Sequence, residues 1–396
     1  MKRVAIVGGG IAGISAAYYL QKAKQNGAGL DWTLFEKSSR LGGVIRTEYR
    51  DGCVLEAGPD SFLTVKPDAA QLCRELGLGD QLIPSNDYQR RTHILVKGKL
   101  VPIPDGLQFM VPTRIMPMVT TGLFSLGTKL RMASEWFSTA GNGNQDESVA
   151  SFVRRHFGQQ MVDRIAEPLL ADAIVAALPK AALRAESTIT SLNLANGKWQ
   201  IISEKGTEDF DLVLLAVPAP FAASLLKNLN LEMSARLEKI QYTSSGAVAL
   251  AYSSPKLPPG FGFLVPASEN RKMLACTFVH KKFSYRVPQG TALLRCFFSS
   301  SRTPELLSYN DDDLKTIARQ ELKDILGLDL EPQVACAFRW ATGLPQYETG
   351  HLDRAAEIEA QLSKLPGLHL IGNSLYGVGI PDCVKSARLA VEKITN

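Results

Sequence analysis

Little in this sequence suggests a metal or a disulfide framework. Its six cysteines, at 53, 73, 276, 296, 336 and 383, form no C-x-x-C pair and do not cluster with the five histidines. That spacing excludes a zinc module and fits a reducing compartment, so no metal is expected and the location is read as cytoplasmic. A concentrated basic stripe is also missing. A net charge of +5 spread over 396 residues gives no footprint for nucleic acid. No acid–base constellation stands out either: His93, His156, His280, His351 and His369 lack a triad context, and no catalytic side chain is assigned. Long apolar runs are few. The stretch Val4–Leu20 is uncharged but is interrupted by Gly8, Gly9 and Gly10, which weaken a spanning helix. Lys2-Arg3 before it imitates a signal peptide, yet no A-x-A-like site precedes Lys22 and Lys24, and no cleaved signal is expected.

What is present begins in that same stretch. Val4-Ala5-Ile6-Val7 is continuously apolar, as a strand covered on both faces tends to be. Gly8-Gly9-Gly10-Ile11-Ala12-Gly13 then supplies G-x-G-x-x-G. Its glycines serve a tight turn, close approach of the backbone to a pyrophosphate, and packing of helix on strand. The helix over 12–24 directs its N-terminal N–H groups and positive dipole end at the phosphates. Alone the motif is weak, but a second strand, Trp32–Phe35, ends at Glu36, 23 residues after Gly13. A carboxylate there can accept both ribose hydroxyls of an unphosphorylated adenosine.

Three further segments extend the site. Arg40-Leu41-Gly42-Gly43-Val44 resembles the R-x-G-G motif of amine-oxidase-like FAD flavoproteins; Arg40 can neutralise pyrophosphate charge and the glycines let the backbone pass beside the ribityl chain. Gly58-Pro59-Asp60-Ser61 forms a kink suited to the isoalloxazine edge. Near the far end, an apolar strand over Leu368–Ile371 leads into Gly372-Asn373 and then Val378-Gly379-Ile380-Pro381-Asp382, before a helix to about Ile394. A helix N-terminus aimed at the flavin's N1/C2=O edge would stabilise the charge that appears on reduction.

The remainder reads as a discontinuous architecture. The fold class is α/β with an α+β second domain: a Rossmann-like FAD-binding domain over 1–88, 185–220 and 335–396, a substrate domain with an antiparallel sheet over 89–108 and 221–334, and a helical insertion over 109–184. The spacing predicts a hairpin around Asn196-Gly197, a strand over 211–217 and a helix over Asp311–Leu326. Within 108–137, Phe109, Met110, Ile115, Met116, Met118, Phe124, Trp136 and Phe137 stand among Arg114, Lys129 and Arg131. A lid packed on the substrate sheet is favoured over a peripheral membrane-surface patch.

Together these residues resemble the bacterial oxygen-dependent protoporphyrinogen oxidases, a family with coproporphyrinogen-III-oxidising relatives. The resemblance rests on Gly8–Gly13 with Glu36 and Gly42-Gly43, on Glu56–Phe62, Lys97–Pro102, Asp146–Val149 with Phe152–Gly158, and Glu167–Leu170. It continues in Gly260–Pro266, Arg339-Trp340 with Leu344–Tyr347 and Gly350-His351, and Gly377–Cys383. It implies FAD as cofactor, held also by Lys37, Ile189 and Ala216 and with Trp340 beside the flavin, and a porphyrinogen and dioxygen as reactants. The flavin N5 carries the chemistry. A homodimer is compatible with it. Candidate substrate contacts are Phe261, Phe263, Leu264 and Phe278 as flat walls and Arg91, or its neighbour Arg90, for a propionate, although Thr92 falls nearer the family's arginine slot. Protoporphyrinogen is placed ahead of coproporphyrinogen, whose four carboxylates call for more basic residues. The alternatives are an amine-oxidase-like flavoenzyme and a truncated FAD-binding protein without turnover. One departure stands out. After Glu167-Pro168-Leu169-Leu170 the chain passes at once into Ala171–Leu178, as though several tens of residues of the substrate side were absent.

Overall fold

The computed structural model describes residues 1–86, 88, 91–104, 107–108, 111–112, 120–123 and 170–395. Two sheets organise these residues, and the candidate site lies where they meet.

The first sheet has five parallel strands. Lys2–Val7 lies in the middle, paired with Leu30–Phe35 on one side and with Leu212–Leu215 on the other. Leu368–Leu370 and Leu183–Arg184 form the edges. Val4, Ile6, Leu34 and Leu214 have no exposed surface, consistent with a sheet covered on both faces, and each such side chain is worth about 1.5–3 kcal/mol of burial. One face carries the first helix, Ile11–Gln25, and the last, Ile380–Thr395, packed together in a single core. The chain's two ends therefore build one unit. The other face carries Ala219–Leu226 and a three-stranded antiparallel sheet over Ile189–Phe210. Asn196 and Gly197 make its expected hairpin turn, both at positive φ (52° and 73°) between the paired Ala195 and Lys198.

The second sheet has seven strands and is mixed. Its pairs are antiparallel except Gly262–Leu264 on Thr92–Val96, which run parallel; the expectation of a purely antiparallel sheet is corrected at that pair. Helix Asp311–Leu326 has the predicted bounds and a capping box between Asn310 and Asp313. It covers one face through Leu314, Ala318 and Leu322. The opposite face meets the Cys53–Ala57 segment through Ala249, Ala251, Leu293 and Phe338.

Two of the expected boundaries move. Val334–Pro345 is a single strand of the seven-stranded sheet, so the division expected at 335 is not a structural one. Leu170–Ala176, assigned to the helical insertion, packs with the first helix in the nucleotide core, and Leu183–Arg184 pairs with Leu30–Phe35. The rest of the expected lid, at 109–110, 113–119 and 124–169, lies outside the described residues. Among the described residues no helix is long and apolar enough to cross a membrane.

Candidate functional site

The glycine turn is shaped by two steric requirements. Gly8 has φ +105°, and a Cβ there would lie 2.4 Å from the Ala216 carbonyl oxygen. A Cβ on Gly13 would lie 1.8 Å from the Gly8 carbonyl oxygen, so only glycine lets the helix begin this close to the strand. Gly10 is different: a Cβ there meets nothing within 4 Å. It is also the N-cap of a helix with no side-chain cap and no acidic residue in its first turn. An open backbone surface, uncapped N–H groups and a positive helix end fit a pyrophosphate.

Glu36 sits under the same turn. Its carboxylate accepts from the Gly9 N–H at 2.7 Å and the Ser38 N–H at 2.8 Å, with lone pairs left for ribose hydroxyls. The second glycine loop lies directly against the first: the Gly42 N–H donates to the Gly9 carbonyl at 2.7 Å, and a Cβ on Gly43 would lie 3.0 Å from the Gly10 Cα. Gly58 continues this row, since its Cβ would lie 1.9 Å from the Val44 carbonyl oxygen. Gly372 reaches the same rim from the C-terminal side: a Cβ there would lie 3.6 Å from the Ala12 Cβ, and its N–H donates to Ser386 Oγ. Gly8–Gly13, Glu36, Gly42–Val44, Gly58, Ala216 and Gly372 therefore form one continuous rim.

Other expected contacts have specific placements. Arg40 turns back on its own loop, donating to the carbonyls of Leu41, Gly43 and Ile45, so here the guanidinium shapes the glycine loop. Burial, then the neighbouring Arg46, pulls its pKa down. Lys37 is exposed and Ile189 is buried in the hairpin-side core. Trp340 donates from Nε1 to the Ala57 carbonyl at 3.1 Å. Asn373 accepts from Tyr347 Oη at 2.6 Å, Val378 is exposed, and Asp382 accepts from the Gly379 N–H at 3.1 Å at the start of the last helix, where Ile380 is buried. Pro59 is half-buried, and Lys282 reaches both Asp60 and Ser61.

On the substrate side, strand parity decides. Phe263 and Phe278 have no exposed surface and meet edge to face at 6.1 Å within the core under helix Asp311–Leu326. They are core, not walls of a pocket. Residues of opposite parity face the nucleotide domain. One row runs Ala249, Arg295, Thr277, Gly262 and Thr92, and the next Ala247, Phe297, Ala275, Leu264 and Ile94. Leu264 is thus on the side of the site, and it and Phe261 are half-buried. Arg91 is exposed and its carbonyl accepts from the Phe261 N–H, whereas Thr92 falls in the row of Arg295. Arg90 lies outside the described residues. Sequence reasoning did not pick out Arg295, Arg286 or Lys282, although Arg295 interrupts the apolar strand Thr291–Ser299.

A Rossmann-type parallel sheet, a carboxylate under the glycine turn, stacked glycine loops and a C-terminal closure define a flavoprotein oxidoreductase. The chain belongs to the family of flavin containing amine oxidoreductases, whose model matches residues 11–183 and 169–395, and FAD is its cofactor. It is 32% identical to a coproporphyrinogen III oxidase of Bacillus subtilis (strain 168), over 98% of this chain and 97% of that protein. It is 23% identical to protoporphyrinogen oxidase 2, chloroplastic/mitochondrial, of Arabidopsis thaliana, over 99% and 94%. A crystal structure from Exiguobacterium sp. 255-15, provisionally assigned as a protoporphyrinogen oxidase, superposes with a TM-score of 0.86 at 28% identity, covering 100% of this chain and 98% of that one. The Bacillus alignment occupies 460 positions against the 396 residues here, so at least 64 positions of that relative have no counterpart. The two matches to the family model overlap at 169–183, where the sequence itself suggests a join. The segment after that join packs in the nucleotide core, with Ala171 Cβ 3.4 Å from where a Gly42 Cβ would lie.

Proposed function

We propose that this protein oxidises a porphyrinogen to the corresponding porphyrin, with FAD as the immediate acceptor and dioxygen as the final one, in haem biosynthesis. The carrying observation is the 32% identity to a coproporphyrinogen III oxidase along nearly the whole of both chains. Oxidases of that name from Bacillus, Staphylococcus, Propionibacterium and Mycobacterium align over at least 98% of this chain. We therefore place coproporphyrinogen III ahead of protoporphyrinogen, reversing the order the sequence alone suggested. The row Ala247, Phe297, Ala275 and Leu264 on the sheet face toward the nucleotide domain is apolar, which suits a broad, flat macrocycle. FAD supplies the two-electron chemistry, and the chain's own residues hold and orient both partners.

A second reading has its own support. The deficit of at least 64 aligned positions falls, on this reading, on the substrate side, leaving a protein that binds FAD without turnover. One assay separates the two. The purified holoprotein is given each porphyrinogen in air while porphyrin fluorescence is followed. A fluorescence rise above the uncatalysed rate, faster with coproporphyrinogen III, supports the oxidase. A rise with protoporphyrinogen alone reverses the substrate order, and no rise with either favours the second reading.

A further inference from the structure

Five ionisable side chains lie together where the seven-stranded sheet meets Glu56–Ser61. Arg286 and Arg295 are 2% and 4% exposed, and Glu56 and Asp60 are 3% and 5% exposed. Lys282 Nζ lies 3.2 Å from Asp60 Oδ1 and donates to Ser61 Oγ at 2.6 Å. Arg286 Nη2 donates to the Asp60 carbonyl at 3.2 Å, and Arg295 Nη2 donates to the Gly58 carbonyl. The guanidinium–carboxylate contacts are looser, at 3.7 Å for Arg286 with Glu56 and 3.9 Å for Arg295 with Asp60. Glu56 Oε1, Asp60 Oδ2, Arg286 Nη1 and Arg295 Nε have no hydrogen-bond partner, and the space among them is too small for a water molecule.

Three cations thus face two carboxylates in a dry setting. A surplus buried cation is a poor device for stability alone, because desolvation costs several kcal/mol and well-packed apolar side chains would serve better. The segment these cations clamp is informative. Gly58 continues the row of close backbones from Gly10 through Gly43 and Val44, away from the adenosine-directed Glu36. With no cis peptide among the described residues, turning the Asp60 carbonyl onto Arg286 directs the Ser61 N–H to the opposite side of that peptide. Burial favours the protonated form of Glu56, which enlarges the positive surplus, whereas the cations outweigh burial at Asp60 and hold it ionised.

We propose that Lys282, Arg286 and Arg295 form a cationic plate behind Ala57–Ser61 that favours the electron-rich reduced flavin over the oxidised one and so sets the cofactor's reduction potential. They are positioning residues, acting through the carbonyls they hold and through a field little screened in this dry contact. The inference rests on FAD binding and not on the porphyrinogen reading, and it is tested without any porphyrinogen.

The experiment is dye-equilibrated reduction of the holoprotein, comparing wild type with Lys282→Gln, Lys282→Arg and Asp60→Asn. Lys282→Gln is expected to lower the two-electron potential and Asp60→Asn to raise it, by about 30 mV for each ten-fold change in the preference for reduced flavin. Lys282→Arg, which keeps the charge, is expected to retain the wild-type value. A merely structural role would shift both neutral variants in the same direction, through loosened packing. That outcome, or unchanged potentials in both, overturns the proposal.

Discussion

Lys66 and Asp382, 316 positions apart, form a two-pronged ion pair, with Nζ 2.7 Å from Oδ1 and 2.8 Å from Oδ2. The same carboxylate accepts from the Gly379 N–H at 3.1 Å. The pair ties the loop after Ser61 to the start of the last helix, the two segments proposed to flank the flavin. Lys66 is half exposed, its side chain 53% accessible, so Lys66→Met is expected to cost no more than about 1 kcal/mol in stability. FAD release should nevertheless quicken, because the C-terminal turn loses its tie to the opposite wall. Denaturant unfolding and FAD dissociation by dialysis check the two halves separately.

Gly10 and Gly13 make a sharper pair of predictions. A Cβ at Gly10 meets no protein atom within 4 Å, and one at Gly13 lies 1.8 Å from the Gly8 carbonyl oxygen. Gly10→Ala should fold with an unchanged melting temperature and lose FAD affinity by at least about ten-fold, ~1.4 kcal/mol. Gly13→Ala should lose stability and FAD together. Thermal unfolding of the apoproteins beside FAD titration distinguishes them.

The parity of the substrate sheet predicts a different split. Phe263→Ala, in the core, should cost about 3–5 kcal/mol of stability. Phe297→Ala, on the half-buried opposite face, should cost less and act chiefly on KM for the porphyrinogen. Steady-state kinetics and urea unfolding of both variants provide the check.

Asp60 and Glu56 should carry opposite pH dependence. Burial alone would raise Asp60, but Lys282, Arg295 and Arg286 outweigh it and hold its pKa below 3.8. Its contribution is therefore present above that ordinary value and lost as pH falls through the lower folded one. Burial raises Glu56 above 4.5 against the pull of Thr47, Arg286 and Arg295, so its contribution is present below 4.5 and lost as pH rises through the raised value. Relative to wild type, Asp60→Asn should be destabilised at neutral pH and recover in acid, and Glu56→Gln should gain as pH rises. Urea unfolding across the acid-to-neutral range measures both.

These residues also show what the sequence made legible. Gly8–Gly13, Glu36 and the Asn196-Gly197 turn were readable because each is local, with spacing and residue type dictating backbone geometry. The face of a strand is not local. Phe263 and Leu264 are equally apolar neighbours, and only pairing with Cys276 and Ala275 and cover from Asp311–Leu326 decide which one enters the core. The boundary at 335 failed for the same reason, since Val334–Pro345 joins its sheet through partners about ninety residues earlier in the chain. Arg295 had a usable signal: an arginine amid Ala292, Leu293, Leu294, Cys296, Phe297 and Phe298 breaks the rule for a buried strand, and such breaks mark function more often than accident. Its partner carbonyl at Gly58 lay beyond any sequence pattern.

The most direct measurement is anaerobic mixing of the FAD-loaded protein with coproporphyrinogen III while the flavin absorbance is recorded. The account predicts bleaching of the oxidised flavin band, followed by its return and a rise in porphyrin fluorescence when air is admitted. An oxidised flavin spectrum that stays unchanged with coproporphyrinogen III and with protoporphyrinogen alike would contradict it.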